Sequence, residues 1–367
     1  AYDAYTSDYL ETTLEWLAYY GATVILMSAT LPPDRRRALI KAYSGTNLTE
    51  RTAAYPLITV ANRSGSRYVT PEPSPTNLEA PIELIDDDLD SLSERMSQLL
   101  SDGGCALVIC NTIARAQEAY ARLSQDYADD IELHHAGFMS WQRSKREDKL
   151  RAELGPNASR RSGRPYQKVV VATQVAEQSL DIDADVLITD LAPMDLIIQR
   201  IGRVHRHERP ESDRPETLRT PQVYIRGVTR TSERLEFDGG AQAIYDPKIL
   251  LSTFLHFPRV FRRPDDIESL VRRTYGEDGR TVPADLRDEW KRAESISLDR
   301  AEKAHQRSTH FRIRSPRGLR NLDALFTKVG AAVALSDEEK GTAQVRDAEL
   351  SVAVSYTHLT LPTSDLV

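Results

Sequence analysis

Residues 199–207 read QRIGRVHRH, a glycine set among three arginines, a glutamine and two histidines. Arg203 and Arg206 stand three apart, so on a helix both guanidinium groups address one face. There they could stabilise the charge of a nucleotide polyphosphate as a phosphoryl group transfers. Gly202 would let the backbone approach closely. A solvated basic helix end is the plainer reading, but the apolar Leu196, Ile197, Ile198 and Ile201 seat this helix against a core.

A second run, 169–183 (VVVATQVAEQSLDID), carries a buried strand straight into a polar turn. In open α/β sheets ligands gather past the carboxyl ends of strands, so Thr173, Gln174, Gln178, Ser179 and Asp181 stand where a phosphate backbone or a ribose would sit. Asp181 could bond a ribose hydroxyl or an arginine, or simply cap its turn. Ser28-Ala29-Thr30 is a common tripeptide, and its interest is positional: it too ends an apolar run, 22–27 (ATVILM).

The elements that must position these residues alternate. Helix is predicted over 6–20 behind a Thr6/Ser7/Asp8 cap, with Trp16, Tyr19 and Tyr20 as core packing, then strand at 22–27, helix from Pro32-Pro33 through Tyr43, and strand at 55–61. Residues 63–81, rich in proline and without apolar period, read as a linker. Strands then follow at 105–110, 131–136, 168–173, 185–190 and 222–227, with helices at 112–127, 140–154 and 196–201, which makes a parallel sheet covered by helices on both faces. The stretch 155–165 (GPNASRRSGRP) reads as a flexible insertion, and residues 229–350 as a separate, mostly helical region.

Composition narrows the partners. The 367 residues carry 48 Lys+Arg against 55 Asp+Glu, which excludes a uniformly basic nucleic-acid coat but leaves room for a local basic groove. One candidate runs from Arg143 to Lys168, with 9 Arg/Lys and 3 Asp/Glu, although solvated charge explains such a run as well. No membrane span or signal peptide is visible, so the cytoplasm is the expected compartment. Cys105 and Cys110 point to opposite faces of one strand and read as buried thiols. His134-His135 and His205-x-His207 lack a third ligand nearby and do not read as metal pairs.

S-A-T-L-P at 28–32, V-V-A-T-Q-V-A-E-Q-S-L-D-I-D at 170–183 and Q-R-I-G-R-V-H-R-H at 199–207 together resemble the superfamily 2 DExH helicases. The likeness is closest to the helicase–nuclease of type I CRISPR interference systems, in which Ala1-Tyr2-Asp3-Ala4-Tyr5 looks like the residues just after the D-E-x-H motif. It extends over about residues 1–230 and more weakly over 231–350.

That resemblance implies a RecA-like α/β architecture: the last part of a first motor domain at 1–62, a linker at 63–81, a second motor domain at 82–228 and an accessory region at 229–350. Residues 351–367 read as a tail foreign to the fold, and the chain as a piece that begins inside its protein. It further implies ATP with Mg2+ as cofactors, single-stranded DNA and an RNA-guided surveillance complex with its target R-loop as partners, and DNA unwinding and degradation as the task. Arg203 and Arg206 match the family's arginine fingers, Gln199 its nucleotide-side glutamine, and Asp181 the acidic residue between the motor domains. Thr173 and Gln174 match positions beside the DNA backbone, and Ser28, Ala29 and Thr30 the element coupling hydrolysis to strand movement. Asn111 and Thr112 look like a phosphate contact, though a helix cap accounts for them equally.

The departures are as informative. The chain has no Gly-Lys pair, hence no Gly-Lys-Ser/Thr loop, and no D-E-x-H, and none of its eight histidines precedes an aspartate. Alone, it is therefore expected neither to hydrolyse ATP nor to cut DNA, and nuclease metals would belong to the full-length protein. A generic superfamily 2 helicase acting on RNA or repair substrates, and a non-catalytic nucleic-acid-binding module, are the alternatives.

Overall fold

The computed structural model describes residues 4–47, 54–73, 77–178, 180–230, 235–276, 282–311 and 314–317. Expectations that fall on 318–350 and 351–367 lie outside them, as does Ser179.

Helix α1 (Ala4–Tyr19) starts ahead of its predicted cap, and α2 (Pro33–Ser44) opens on proline and closes on Gly45, whose left-handed φ of 76° suits glycine. An antiparallel hairpin follows, β1 (Ile58–Asn62) and β2 (Gly65–Val69). Next come β3 (Leu78–Leu84), α3 (Leu89–Leu99), β4 (Gly104–Ile109), α4 (Ile113–Tyr127), β5 (Ile131–His134) and α5 (Ser140–Leu154). Then β6 (Gln167–Ala172), the one-turn α6 (Val175–Gln178), β7 (Val186–Asp190), α7 (Met194–Ile201) and β8 (Gln222–Arg226) complete the alternating part. After it lie β9 (Val228–Arg230), β10 (Leu235–Phe237), α8 (Gly239–Ile244), α9 (Pro247–His256), β11 (Val260–Arg263), α10 (Asp265–Tyr275) and α11 (Arg287–Phe311).

Seven strands form the main sheet in the order β11-β3-β8-β7-β4-β6-β5, parallel except for β11. Every residue of β4 and β7 is buried, as continuous apolar runs require when helices cover both faces. Alternate side chains feed two cores. Leu107, Ile109, Val170 and Leu187 meet Leu150 and Leu154 of α5 and Ile197 and Ile201 of α7. Ala106, Val108, Val171 and Ile188 meet Leu92 and Met96 of α3 and Ala116 and Leu123 of α4. Cys105 belongs to the first core and Cys110 lies in the second, and burial raises both thiol pKa values, that of Cys105 to about 12. The helix-covered parallel sheet expected from the sequence is thus the architecture found.

Several expectations need correction. Residues 22–27 form no strand: none of the described strands pairs with them, and Ile25 and Met27 stand 81% and 92% exposed, since an apolar run lies flat only between neighbours that accept its hydrogen bonds. Tyr19 and Tyr20 are exposed, Tyr19 meeting Trp16 edge-on and Tyr20 tilted against it, because three aromatics within five residues at a helix end cannot all face one core; Tyr5 and Leu14 take the buried positions. Of the proposed linker, 63–69 are the turn and second strand of the β1–β2 hairpin and 78–81 open β3; the turn is set by Asn62 Oδ1 accepting the Ser64 N–H at 2.8 Å. Nor is the region after 229 free of strands, for β11 pairs with β3 and extends the main sheet.

The last turns of α11 belong with α1 to a smaller unit, held by Asp8 accepting from His305 at 2.8 Å and from Ser308, and by Trp16 Nε1 donating to the Arg314 carbonyl at 2.7 Å. Among the described residues no helix is long and apolar enough to cross a membrane.

Candidate functional site

β6 and β7 end on either side of β4, all three parallel, so the turns that follow them open at the carboxyl edge of the sheet. α7 returns beside that edge, and its Arg200 is the largest fully buried side chain. Burying a guanidinium requires acceptors for its donors. Arg200 Nε donates to Glu177 Oε1 at 2.7 Å, Nη1 to Thr189 Oγ1 at 2.7 Å and the Asp190 carbonyl at 3.0 Å, and Nη2 to Asn111 Oδ1 at 3.1 Å. One side chain therefore joins the ends of β4 and β7, α6 and α7.

One turn on, Arg203 is also buried, with Nε donating to the Ala176 carbonyl at 3.1 Å and Nη2 to the Glu177 carbonyl at 2.6 Å. Burial, and after it the positive charge of Arg206, lower its pKa from the usual arginine value. Arg206 is more open. Its Nε donates to Asp181 Oδ1 at 2.6 Å, and His207 shares the same oxygen at 3.0 Å. Burial pushes the Asp181 pKa up, but the Arg206 bond and the Arg206 and His207 charges outweigh it, and the net shift is downward. Gln199 is half-buried.

The loop that carries Arg206 is clamped from below. Asp183 Oδ1 accepts the Arg206 backbone N–H at 2.8 Å, while Oδ2 takes Arg214 at 2.8 Å and also Arg209. Asp185 takes Arg164 at 2.7 Å, Arg214, and the Cys105 N–H at 2.8 Å. Both carboxylates are wholly buried. Arg164 comes from 155–165, and Arg209 reaches back to the carbonyls of Gly155 and Ala158, so the supposed flexible insertion is an ion-paired staple. The same pairing turns Arg164 inward, while Lys168 is committed to Glu132 and Glu153, and neither can serve a DNA-facing wall.

At the centre of the clamped loop His205 adopts φ 45°, a conformation histidine tolerates better than most residues. Its Nε2 lies 3.1 Å from the Leu218 carbonyl, which can only accept, so Nε2 carries the proton. Burial, and then the charge of Arg214, lower its pKa from 6.5 to about 4. Unfolding restores the higher value, so the unfolded chain takes up this proton first as pH falls. Stability present above pH 6.5 is therefore expected to decline toward pH 4, by up to ~1.4 kcal/mol per pH unit from this group. Urea unfolding at pH 7, 6 and 5 checks it: His205→Asn, which keeps the backbone conformation accessible, should flatten the slope by one proton, and an unaltered slope would remove His205 as its source.

Asn111 is internal. Its N–H donates to Asp190 Oδ2 at 2.9 Å, its Nδ2 to the Leu191 carbonyl at 2.7 Å, and its Oδ1 holds Arg200. Thr112 caps α4 by accepting the Arg115 N–H at 3.2 Å, and Gly240 packs so close that a Cβ there would lie 2.5 Å from Thr112 Cγ2. Thr173 is buried and donates its N–H to the His134 carbonyl at 3.0 Å, whereas Gln174 Nε2 bridges the Asn111 carbonyl at 2.7 Å and Tyr245 Oη at 3.4 Å. Gln178 closes α6. Ser28 and Thr30 form a local turn, Ser28 Oγ donating to the Thr30 carbonyl at 2.5 Å, with Ala29 exposed beside them.

Arg203, Arg206, Asp181, Gln174 and Asn111 thus fall into one bonded assembly. Sequence reasoning missed its hubs: Arg200, Glu177, Asp183 and Tyr245. The D-I-D-A-D alternation was the available signal, since carboxylates at 183 and 185 inside an apolar run must find cations. Below the network Arg115 bridges Asp190 and Asp87, at 2.8 and 2.6 Å.

The family model described as CRISPR-associated nuclease/helicase Cas3, C-terminal, matches residues 102–209. The chain is 35% identical to a CRISPR-associated nuclease/helicase Cas3 of Streptococcus thermophilus over 96% of its own length and 39% of the relative's. It is 32% identical to a CRISPR-associated endonuclease/helicase Cas3 of Thermus thermophilus over 96% of itself and 42% of that protein. It therefore spans about two fifths of these relatives. Among solved structures, T. fusca Cas3-ATP superposes with a TM-score of 0.75 at 29% identity, covering 91% of this chain and 40% of that one. A CRISPR RNA-guided surveillance complex, pre-nicking, contains a chain matched at 0.69 and 28% identity, over 83% and 40% respectively.

Proposed function

Since this chain belongs to the Cas3 nuclease/helicase family, we propose that it forms the second motor domain and adjoining region of an ATP-dependent single-stranded DNA translocase. In the whole protein this motor unwinds target DNA, and a nuclease degrades it, at the R-loop of an RNA-guided surveillance complex. One observation carries the reading: the arginines suited to a polyphosphate and the strand-end turn suited to a nucleic-acid backbone are a single hydrogen-bonded unit, joined through Arg200, α6 and Asp181.

The residues present fit part of a nucleotide site. Arg203 has only neutral carbonyls as hydrogen-bond partners among the described residues, so its charge is uncancelled by them, and Arg206 holds a half-exposed carboxylate whose bond is worth ~1 kcal/mol or less, so Arg206 can turn to a phosphate at little cost. Bound ATP supplies the phosphoryl group whose transfer to water drives the cycle. Arg203 and Arg206, in the loop after α7, place positive charge toward it, Gln199 on α7 just before them meets the nucleotide, and Asp181 takes Arg206 back when the phosphate leaves. Ser28, Ala29 and Thr30 are the coupling element. Among the described residues no group of three or more His, Cys, Asp or Glu side chains is arranged to hold a metal ion, and Mg2+ would enter with the nucleotide's phosphates. By itself the chain is a nucleic-acid-binding module without ATP turnover.

Strand binding would run along Gln174 and Thr112 through phosphates, without regard to sequence, Thr173 being buried beneath them. Fluorescence anisotropy with an oligothymidylate should show binding by this chain that weakens with salt, the logarithm of affinity falling by ~0.7 per phosphate contact for each tenfold rise in salt. Binding indifferent to salt, or none, would overturn the nucleic-acid reading.

A further inference from the structure

Beyond the end of β5 the chain leaves the sheet through a stacked ledge. The His135 ring lies on Phe138 with centroids 4.3 Å apart and planes at 8°, and the Arg146 guanidinium sits over Phe138 at 4.4 Å. Arg146 also donates to the Leu133 carbonyl at 3.3 Å, so α5 is fastened to the strand it follows. On this fixed base two large apolar side chains stand in the open: Met139, 56% exposed, and Trp141, 64% exposed. An indole offers one of the largest apolar surfaces of any side chain, and nothing in the described chain covers most of this one.

The surroundings select the kind of ligand. Residues 133–146 contain Arg143, Lys145 and Arg146 and no carboxylate, and of these Arg143 pairs with Glu147 just beyond, at 3.7 Å. Lys145 lies one turn beyond Trp141 on the same face of α5, exposed, and forms no ion pair among the described residues. A flat apolar ring beside an uncommitted ammonium matches a base next to its phosphate. The ledge also adjoins the turn already assigned to the strand, since the Thr173 N–H donates to His134 directly before it.

We propose that Trp141 is a base-stacking platform for single-stranded nucleic acid at the carboxyl edge of the sheet, with Lys145 taking a neighbouring phosphate. This rests on the nucleic-acid reading above and adds to it a contact with bases rather than backbone. Stacking on an aromatic side chain is sequence-tolerant and is worth a factor of roughly ten or more in affinity per base.

The test titrates this chain with an oligothymidylate and with an abasic strand of equal length, following tryptophan emission and anisotropy. The difference between wild type and Trp141→Phe isolates the one indole. Expected are quenching by the oligothymidylate but not by the abasic strand, about tenfold weaker oligothymidylate binding by Trp141→Ala, and Trp141→Phe within about threefold of wild type. Full-strength, unquenched binding by the wild type together with unchanged affinity in Trp141→Ala overturns the platform and leaves the nucleic-acid reading standing, with Trp141 then free to meet a protein. A wild-type chain that holds no strand overturns both.

Discussion

Arg203→Ala in the full-length protein is expected to reduce ATP turnover by at least ~10³-fold while leaving ATP binding largely intact. The guanidinium reaches the carboxyl end of α6 with two donors, on the carbonyls of Ala176 and Glu177, and among the described residues has no carboxylate as a hydrogen-bond partner. Its charge is therefore positioned without being cancelled, which is what a phosphate needs where negative charge builds up in the transition state and not in the ground state. Arg203→Lys should recover little, because a single ammonium cannot keep both carbonyls and still present a fork. Steady-state turnover measured beside equilibrium nucleotide binding separates the two effects; turnover unchanged in Arg203→Ala would end the finger assignment.

The second large effect concerns stability. Arg200→Ala strands the Glu177 carboxylate, whose side chain is only 2% exposed, and takes away the Arg200 donor from Thr189 Oγ1, the Asp190 carbonyl and Asn111 Oδ1. Removing one partner of a buried ion pair costs about 3–5 kcal/mol. For a body of this size that corresponds to a fall in melting temperature of roughly 6–20 °C. Glu177→Ala should behave alike. Replacing both together, Arg200→Met with Glu177→Leu, should cost less than either single change, since no buried charge is then left alone. A melting temperature that does not move in Arg200→Ala would show that the hub carries no load.

The alternation of buried strands and helices was readable because a two-sided sheet core demands continuous apolar runs, and 105–110, 168–173 and 185–190 supply them. β3 was not, because Leu78–Leu84 mixes Pro81 and two glutamates into a strand whose place is secured by β8 on one side and β11 on the other. The arginine motif stood out by spacing alone. Its partners did not: Arg203 and Ala176 are 27 residues apart, and Arg200 and Asn111 are 89 apart, distances at which no local pattern survives. Likewise the glycine and serine content of 155–165 suggested mobility, while Arg164 and Arg209 tie it to buried carboxylates.

What the sequence determined by itself was the inventory: a helix-covered parallel sheet, two strand-end turns rich in polar groups, and guanidinium groups three residues apart. Which of those groups are buried and which stand open was left to the tertiary structure, which buried Arg200 as a brace, laid Arg203 on backbone carbonyls, left Arg206 half open on Asp181 and set Trp141 in the open. The physical reason is that local propensity acts through neighbours a few residues apart, whereas a charged side chain is placed by whichever partners the completed fold brings within hydrogen-bond reach, and by the large penalty for burying it without them.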